Sequence, residues 1–224
     1  MGNCENFVDL TLKSVYEHVD KIIIVYDTSS RDNTLARIED WQDKLGDKIV
    51  RLDREYIHDY KCKTANGDAR NFYLDYLKQN HKGDWVLVLD ADEVVGDEIK
   101  NLKQFLVDNT KPNQQYLISP KMVHFIQTFG LEDSTQTQHF VFHRLFNVVD
   151  DELSYAANEH PVLNTTKKGA IYQQLMKPII YHLGYSREVF YLLSRYKNHL
   201  AKSTTHTPEG LLKWYYAHLN SDYP

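Results

Sequence analysis

The sequence has few cysteines, no long apolar run and no excess of positive charge, and each shortage excludes a class of protein. Two cysteines, Cys4 and Cys62, are too few for a disulfide framework, so we expect a reducing, cytoplasmic compartment. The longest apolar runs, residues 22–26 and 85–89, fall well short of the ~18 residues that a membrane-spanning helix needs. The formal net charge of -5 argues against nucleic acid as the main partner.

The chain also lacks the features that mark targeting segments and multidomain proteins. Residues 1–5 contain neither a basic stretch nor an apolar block, so we expect no signal peptide. No internal repeat and no low-complexity linker interrupts the 224 residues, a length that suits one large domain. With 25% charged and 42% hydrophobic residues, the composition is that of a globular protein. We therefore predict a single domain over residues 1–224.

The front of the chain alternates helix-like and strand-like segments. Apolar residues recur at helical spacing over residues 5–19, 35–45 and 69–77. Short runs typical of strands cover residues 22–25, 48–53 and 85–89. Alternation at roughly 30 residues per unit favours right-handed βαβ crossovers, and hence an α/β fold with a mostly parallel central sheet flanked by helices.

The back of the chain, after Glu93, has a less regular pattern. It predicts a helix over residues 97–108, extended segments over 116–126 and 139–149, and two C-terminal helices over 186–202 and 208–219. Because no linker separates this part from the front, we expect it to complete the binding pocket rather than to form a second domain.

Two acidic loops follow strands of the predicted sheet. Asp27 ends the first strand, and Asp90 and Asp92 follow the strand at residues 85–89. Because the carboxyl ends of parallel strands meet at one edge, where ligands bind, we expect the two loops to share one rim. Two carboxylates one residue apart suit a hard divalent cation such as Mg²⁺ or Mn²⁺. The alternative is a solvated acidic turn that only ends the strand.

Three segments together resemble the family 2 glycosyltransferases of the GT-A fold. Residues 25–34 read VYDTSSRDNT and resemble the V-x-D-x-G-S-x-D-x-T loop of that family. Residues 68–71, DARN, resemble its x-A-R-N helix start, and residues 85–93, WVLVLDADE, resemble its strand with D-A-D-E. The segments occur in the family's order, and the resemblance covers about residues 3–95. It implies a GT-A type fold, with a nucleotide-binding half over 1–95 and an acceptor half with C-terminal helices over 96–224.

The resemblance also implies roles in donor binding for the first loop and the following helix. Asp27 would hold the base or ribose of a nucleotide sugar. Asp32 would shape the nucleotide pocket, or instead cap the following helix. Ser30 would contribute to the same pocket, or only structure the loop. Arg70 would reach the pyrophosphate or order the acidic loop, the alternative being a salt bridge to a nearby Asp.

In the second acidic loop the resemblance implies metal binding. Asp90 would contact the ribose or the metal, Asp92 would be the main metal ligand, and Glu93 would support both. His182, in the H-x-G-Y segment at residues 182–185, would be a further ligand of the metal or diphosphate. The alternative for His182 is a hydrogen-bonded structural residue.

Glu159, in the segment Asn158-Glu159-His160, resembles an acidic element that supplies a general base in this family. The alternative is a surface Glu beside Pro161. With such a base, the resemblance implies that a sugar moves from a nucleoside diphosphate donor, most often UDP-linked, to a hydroxyl of a carbohydrate, lipid or protein, with inversion. Mn²⁺ or Mg²⁺ would assist the departing diphosphate.

The sequence departs from the family in two places. Ser29 stands where the family usually has Gly, and Asn33 replaces a second Gly. Residues 3–6, NCEN, resemble a turn that normally follows a first strand, yet only Met1 and Gly2 precede it. We therefore expect the chain to lack that strand or to be shortened, and the sheet to have an unfilled position.

Two other classes of protein remain open. A non-catalytic module that binds sugar nucleotides or glycans would keep the fold and lose turnover. A phosphatase of the haloacid dehalogenase type also has D-x-D after an apolar strand, with the first Asp as nucleophile.

Overall fold

The structure, a computed structural model, describes residues 1–56, 65–126, 128–132, 142–156 and 161–185. The two predicted C-terminal helices lie outside these residues, and so do Glu159 and the first part of the extended segment predicted over 139–149.

In the part of the chain that the structure describes, four α-helices confirm the helical spacing of the apolar residues. They are α1 (Glu5–Val15), α2 (Thr34–Leu45), α3 (Ala65–Asn80) and α4 (Leu102–Asn109), the last preceded by a 3-10 turn at Asp97–Asn101. The first helix ends four residues before the predicted end at residue 19. Gly46 ends α2 with a φ of 56°, a conformation that favours glycine.

Within the described ranges, ten strands alternate with these helices or follow them. They are β1 (Ile22–Asp27), β2 (Ile49–Arg54), β3 (Trp85–Leu87), β4 (Glu93–Val95), β5 (Tyr116–Ile126), β6 (Thr128–Glu132), β7 (Leu145–Asn147), β8 (Ser154–Tyr155), β9 (Leu163–Asn164) and β10 (Ile171–Tyr185). The strands predicted in the front of the chain are confirmed, as is the extended segment at 116–126.

The strands form three sheets in the described part of the chain. β1 and β2 pair in parallel, and β8 pairs with β9. A six-stranded sheet has the order β3-β7-β5-β10-β4, with β6 on β5. Together these elements make an α/β fold, as predicted.

The expectation of a mostly parallel sheet is wrong for the six-stranded sheet. Only β5 and β10 pair in parallel there, and its other described pairings are antiparallel. The reason is that helices stop alternating with strands after α4. Antiparallel neighbours can be joined by short connections, whereas parallel neighbours need a crossover of about a dozen residues or more.

Helices cover the sheets and position the acidic loops. Leu12 of α1 and Ile38 of α2 pack with Ile24 of β1 in one apolar cluster. On the other sheet, Leu74 of α3 packs against Phe146 of β7. Among the described residues, no helix combines the length and apolarity needed to cross a lipid bilayer.

Candidate functional site

A cavity of about 1170 Å³ is bordered by β1, β3, α1 and α3, and its lining includes Asp27 and Asp90 at the carboxyl ends of β1 and of the strand segment at residues 85–89. Several residues that the motifs single out border it, namely Asp27, Arg70, Asp90, Glu93 and His182. The two acidic loops therefore lie at one rim, as the order of strands and helices predicts.

Asp27 is held in place by the loop that follows it. Its Oδ1 accepts hydrogen bonds from the amide and hydroxyl of Ser29, at 3.0 and 2.7 Å, and from the amide of Tyr56 at 3.1 Å. Ser29 thus departs from the family's Gly by adding a hydroxyl that binds the carboxylate. A Cβ on Gly2 would lie 2.8 Å from Asp27 Oδ2, so the backbone of Gly2 packs closely against this side chain.

Ser30 and Asp32 make contacts with the starts of helices rather than with the cavity. Ser30 Oγ accepts a hydrogen bond from the Asn3 amide at 3.1 Å. Asp32 accepts from the amides of Thr34 at 3.1 Å and Glu5 at 3.0 Å, where α2 and α1 begin. Burial opposes ionisation of Asp32, but these hydrogen bonds lower its pKa. The contacts match the structural alternatives, and roles in nucleotide binding remain predictions.

Asp90 lies between two arginines. Arg70 Nη2 contacts its Oδ1 at 3.0 Å, and Arg144 Nη2 contacts its Oδ2 at 2.7 Å. Burial would raise the pKa of Asp90, but the guanidiniums of Arg144 and Arg70 hold it well below its usual range. The Asp90 side chain is 45% exposed and borders the cavity. The contact of Arg70 with Asp90 is the salt bridge given above as its alternative role, and a role in binding pyrophosphate stays a prediction.

Glu93 and Arg144 form a buried ion pair beneath Asp90. The two side chains are 1% and 9% exposed and meet at 2.8 Å. The other carboxylate oxygen of Glu93 accepts a hydrogen bond from the backbone amide of Asp90 at 2.7 Å. Glu93 therefore supports the turn that carries the acidic motif. Burial raises the pKa of Glu93, although the neighbouring Arg144 opposes the shift.

Arg144 lies outside the motifs that predict the site. One signal was available in the sequence, because a charged residue directly before the apolar pair Leu145-Phe146 needs a partner if the strand is buried.

Asp92 and His182 approach each other where β4 and β10 pair. His182 lies opposite Glu93 in the antiparallel register, and its Nε2 is 3.6 Å from Asp92 Oδ2. The amide of Leu183 donates to the Asp92 carbonyl at 2.8 Å. A Cβ on Gly184 would lie 2.5 Å from Asp92 Oδ2 and 2.6 Å from His182 Nε2, so only glycine leaves room for this pair.

His124 was not predicted as part of the site. It lies opposite His182 in the parallel pairing of β5 with β10, and the two Nδ1 atoms are 3.2 Å apart. Because this contact occupies Nδ1 of His182, it leaves Nε2 directed toward Asp92. Nothing in the sequence connects the two histidines before the strands are paired.

The donor set at Asp92 and His182 fits a divalent cation. Two donors bound to one ion at about 2.1 Å lie roughly 3–4 Å apart, and this pair is separated by 3.6 Å. The carboxylate of Asp90 contacts Arg70 and Arg144 instead. Among the described residues, no group of three or more His, Cys, Asp or Glu side chains could hold a metal ion. Phosphate oxygens of a bound nucleotide would have to complete such a site.

The profile of the family described as Glycosyl transferase family 2 matches residues 2–113. The matched segment contains both acidic loops and Arg70. No curated protein gives a significant match to the chain. Because the family match spans half of the chain, the protein belongs to glycosyl transferase family 2, whose members use nucleotide-sugar donors.

Proposed function

We propose that the protein is a metal-dependent glycosyltransferase that moves a sugar from a nucleoside diphosphate donor to a hydroxyl acceptor with inversion. The observation that carries the proposal is the approach of Asp92 and His182 to 3.6 Å beside the cavity that Asp27, Arg70 and Asp90 also border. A UDP-sugar is the proposed donor, and a carbohydrate, lipid or protein is the proposed acceptor.

The residues divide between holding the nucleotide and holding the diphosphate. Asp27, which accepts hydrogen bonds from Ser29 and Tyr56, would contact a base or ribose hydroxyl. Arg70, which contacts Asp90, would share its guanidinium between that carboxylate and a pyrophosphate oxygen. Asp92 and His182 would hold Mn²⁺ or Mg²⁺, which neutralises the departing diphosphate when bound.

Glu159 is the proposed general base, a role that rests on the sequence resemblance. A carboxylate on the acceptor side of the sugar would take the proton of the attacking hydroxyl, and attack opposite the leaving group inverts the anomeric carbon. Replacing Glu159 with Gln should lower turnover by about 10²-fold or more while nucleotide binding stays unchanged.

Thermal stabilisation tests the donor site. The wild-type chain is mixed with nucleoside diphosphates and nucleotide sugars, each with and without Mn²⁺, and Tm is measured. We expect one nucleotide to raise Tm only with Mn²⁺, and Asp92→Ala to abolish the rise. Asp97→Ala is the matched control, because Asp97 is exposed and pairs with Lys100, three residues further along the chain.

Other outcomes of the same experiment separate the remaining functions. Metal-dependent binding without turnover of donor, tested with acceptors of all three classes, would indicate a sugar-nucleotide binding module. Absence of any nucleotide shift, together with hydrolysis of a simple phosphate ester, would contradict the transferase and indicate a phosphatase. The family match and the two arginines that occupy Asp90 favour the transferase over the phosphatase.

A further inference from the structure

Tyr155 of β8 is held against α3, the helix that carries Arg70. Asn71 of α3 hydrogen-bonds both backbone groups of Tyr155, the amide at 2.7 Å and the carbonyl at 3.1 Å. On the other strand of the small sheet, Tyr155 pairs with Leu163. The backbone of Tyr155 is therefore fixed relative to the helix from which Arg70 extends.

The ring of Tyr155 lies beside the guanidinium of Arg70. The Cζ atom of Arg70 is 5.7 Å from the ring centroid, within the ~6 Å over which an aromatic face attracts a cation. Tyr155 is buried, so water screens this attraction little. The same guanidinium contacts Asp90 at 3.0 Å. Arg70 is thus held by a ring and by a carboxylate, and all three residues border the cavity.

Tyr73, one turn of α3 beyond Arg70, holds the ring of Tyr155 in place. Its hydroxyl donates a hydrogen bond to the Tyr155 hydroxyl at 2.8 Å, and the two rings meet edge to face with centroids 5.9 Å apart. Burial raises the pKa of Tyr73, and a hydrogen bond with Arg70 is among the interactions that oppose the rise. The two tyrosines and Arg70 therefore form one connected cluster.

Arg70 needs this support because a second guanidinium shares its carboxylate. Arg144 contacts Asp90 at 2.7 Å, and the two positive groups repel each other. Asp90 alone therefore attracts Arg70 less than an unshared carboxylate would. The ring of Tyr155 adds an attraction that restricts the orientations of Arg70.

We propose that Tyr155 is a positioning residue for the donor, which together with Tyr73 holds the Arg70 guanidinium in the orientation that binds the diphosphate. This inference rests on the proposed function, in which Arg70 binds a pyrophosphate oxygen. Without the ring, Arg70 would have more orientations to lose when a diphosphate binds, so affinity for the diphosphate would fall. The nucleoside, placed at Asp27, would bind as before.

Two ligands with and without phosphate test the role on the full chain in the presence of Mn²⁺. UDP is measured by calorimetric titration, and uridine by its displacement of UDP. We expect Tyr155→Leu to weaken UDP binding by about tenfold and to leave uridine binding unchanged. In an Arg70→Ala background, Tyr155→Leu should have no further effect on UDP, because the residue through which Tyr155 acts is gone.

Tyr116→Leu is the matched control. Tyr116 is buried like Tyr155, and its ring packs against Trp85, with centroids 5.8 Å apart. Its removal should lower the free energy of unfolding, measured with urea, as the removal of Tyr155 does. The ratio of UDP affinity to uridine affinity should stay at the wild-type value, because Tyr116 has no part in holding Arg70.

A conservative double variant keeps the test decisive if Tyr155→Leu does not fold. Tyr73→Phe with Tyr155→Phe keeps both rings and removes both hydroxyls, so Arg70 loses a hydrogen-bond acceptor. UDP binding should weaken by about two- to tenfold, and uridine binding should not change. If only this variant folds, an unchanged UDP affinity would overturn the role.

The remaining outcomes separate the role of Tyr155 from the proposed function. Equal weakening of UDP and uridine in Tyr155→Leu, or an effect on UDP that persists in the Arg70→Ala background, would overturn the positioning role and leave the donor site in place. Absence of UDP binding in the wild type would contradict the proposed function, and this inference with it.

Discussion

At the scale of single residues, Arg144 determines how two carboxylates are kept close together under the site. It contacts both Asp90 and Glu93, and its side chain is 9% exposed. Removing its charge leaves Glu93 buried without its cation. We expect Arg144→Met to lower the free energy of unfolding by about 3–5 kcal/mol, measured by urea denaturation.

The matched control is an exposed ion pair of the same chain. Lys82 contacts Asp151 at 2.7 Å, but both side chains are more than half exposed. Lys82→Met should therefore cost at most about 1 kcal/mol. A loss in Arg144→Met no larger than in Lys82→Met would contradict the structural role of Arg144.

The lowered pKa of Asp90 predicts a pH dependence of stability. Because the pKa is lower in the folded than in the unfolded chain, the ion pairs stabilise the fold above the ordinary Asp value of about 4 and are lost as the pH falls below it. Urea denaturation between pH 3 and 6 should show stability falling toward pH 3. The fall should be smaller in Asp90→Asn, and identical pH profiles would refute this assignment.

Gly184 is the residue that permits Asp92 and His182 to face each other. A methyl group there would lie within 2.6 Å of atoms of both side chains. We expect Gly184→Ala to push the pair apart and to weaken Mn²⁺-dependent nucleotide binding on the order of tenfold, measured by calorimetric titration. Gly169→Ala is a spatial control, because no atom lies within 4 Å of its added Cβ, although its φ of 81° strains the variant. Unchanged affinity in Gly184→Ala would show that the pair does not bind the metal.

The motifs indicate which residues border the cavity, but not which side chains these residues contact. Asp27, Arg70, Asp90 and His182 do border one cavity. Asp90, predicted as a metal ligand, contacts Arg70 and Arg144 through its two carboxylate oxygens, and its metal role stays a prediction. Those contacts join positions far apart in the sequence, and no local pattern encodes which distant side chain fills a given space.

At the scale of elements, Asn71 connects α3 to β8. The side-chain nitrogen of Asn71 donates a hydrogen bond to the Tyr155 carbonyl at 3.1 Å. Its side-chain oxygen accepts a hydrogen bond from the Tyr155 backbone amide at 2.7 Å. We expect Asn71→Leu to lower the free energy of unfolding by about 1–3 kcal/mol, because both backbone groups lose their partner. Chemical denaturation measures the change. Asn80→Leu is the control, since Asn80 caps only its own helix at an exposed position.

The elements of the front were predictable because their patterns are local. A β-branched run such as residues 22–25 specifies a buried strand, and helical spacing specifies α2 and α3. The order and direction of strands after α4 were not predictable in this way. Strand pairs such as β5 with β10 join residues far apart in the chain, and their register depends on which faces become buried.

At the scale of the whole molecule, one cavity joins the two acidic loops. The candidate donor site lies at the carboxyl ends of β1 and β3, between α1 and α3. A nucleotide that binds there binds the folded chain and should raise its stability. We therefore expect a nucleotide with Mn²⁺ to stabilise the fold as a whole.

Calorimetric titration of UDP into the chain, with and without Mn²⁺, tests the central claim most directly. The account predicts binding that requires Mn²⁺ in the wild type and is weakened at least about tenfold in both Asp92→Asn and His182→Phe. Binding of UDP that is the same with and without Mn²⁺, or that survives unchanged in both variants, would contradict it.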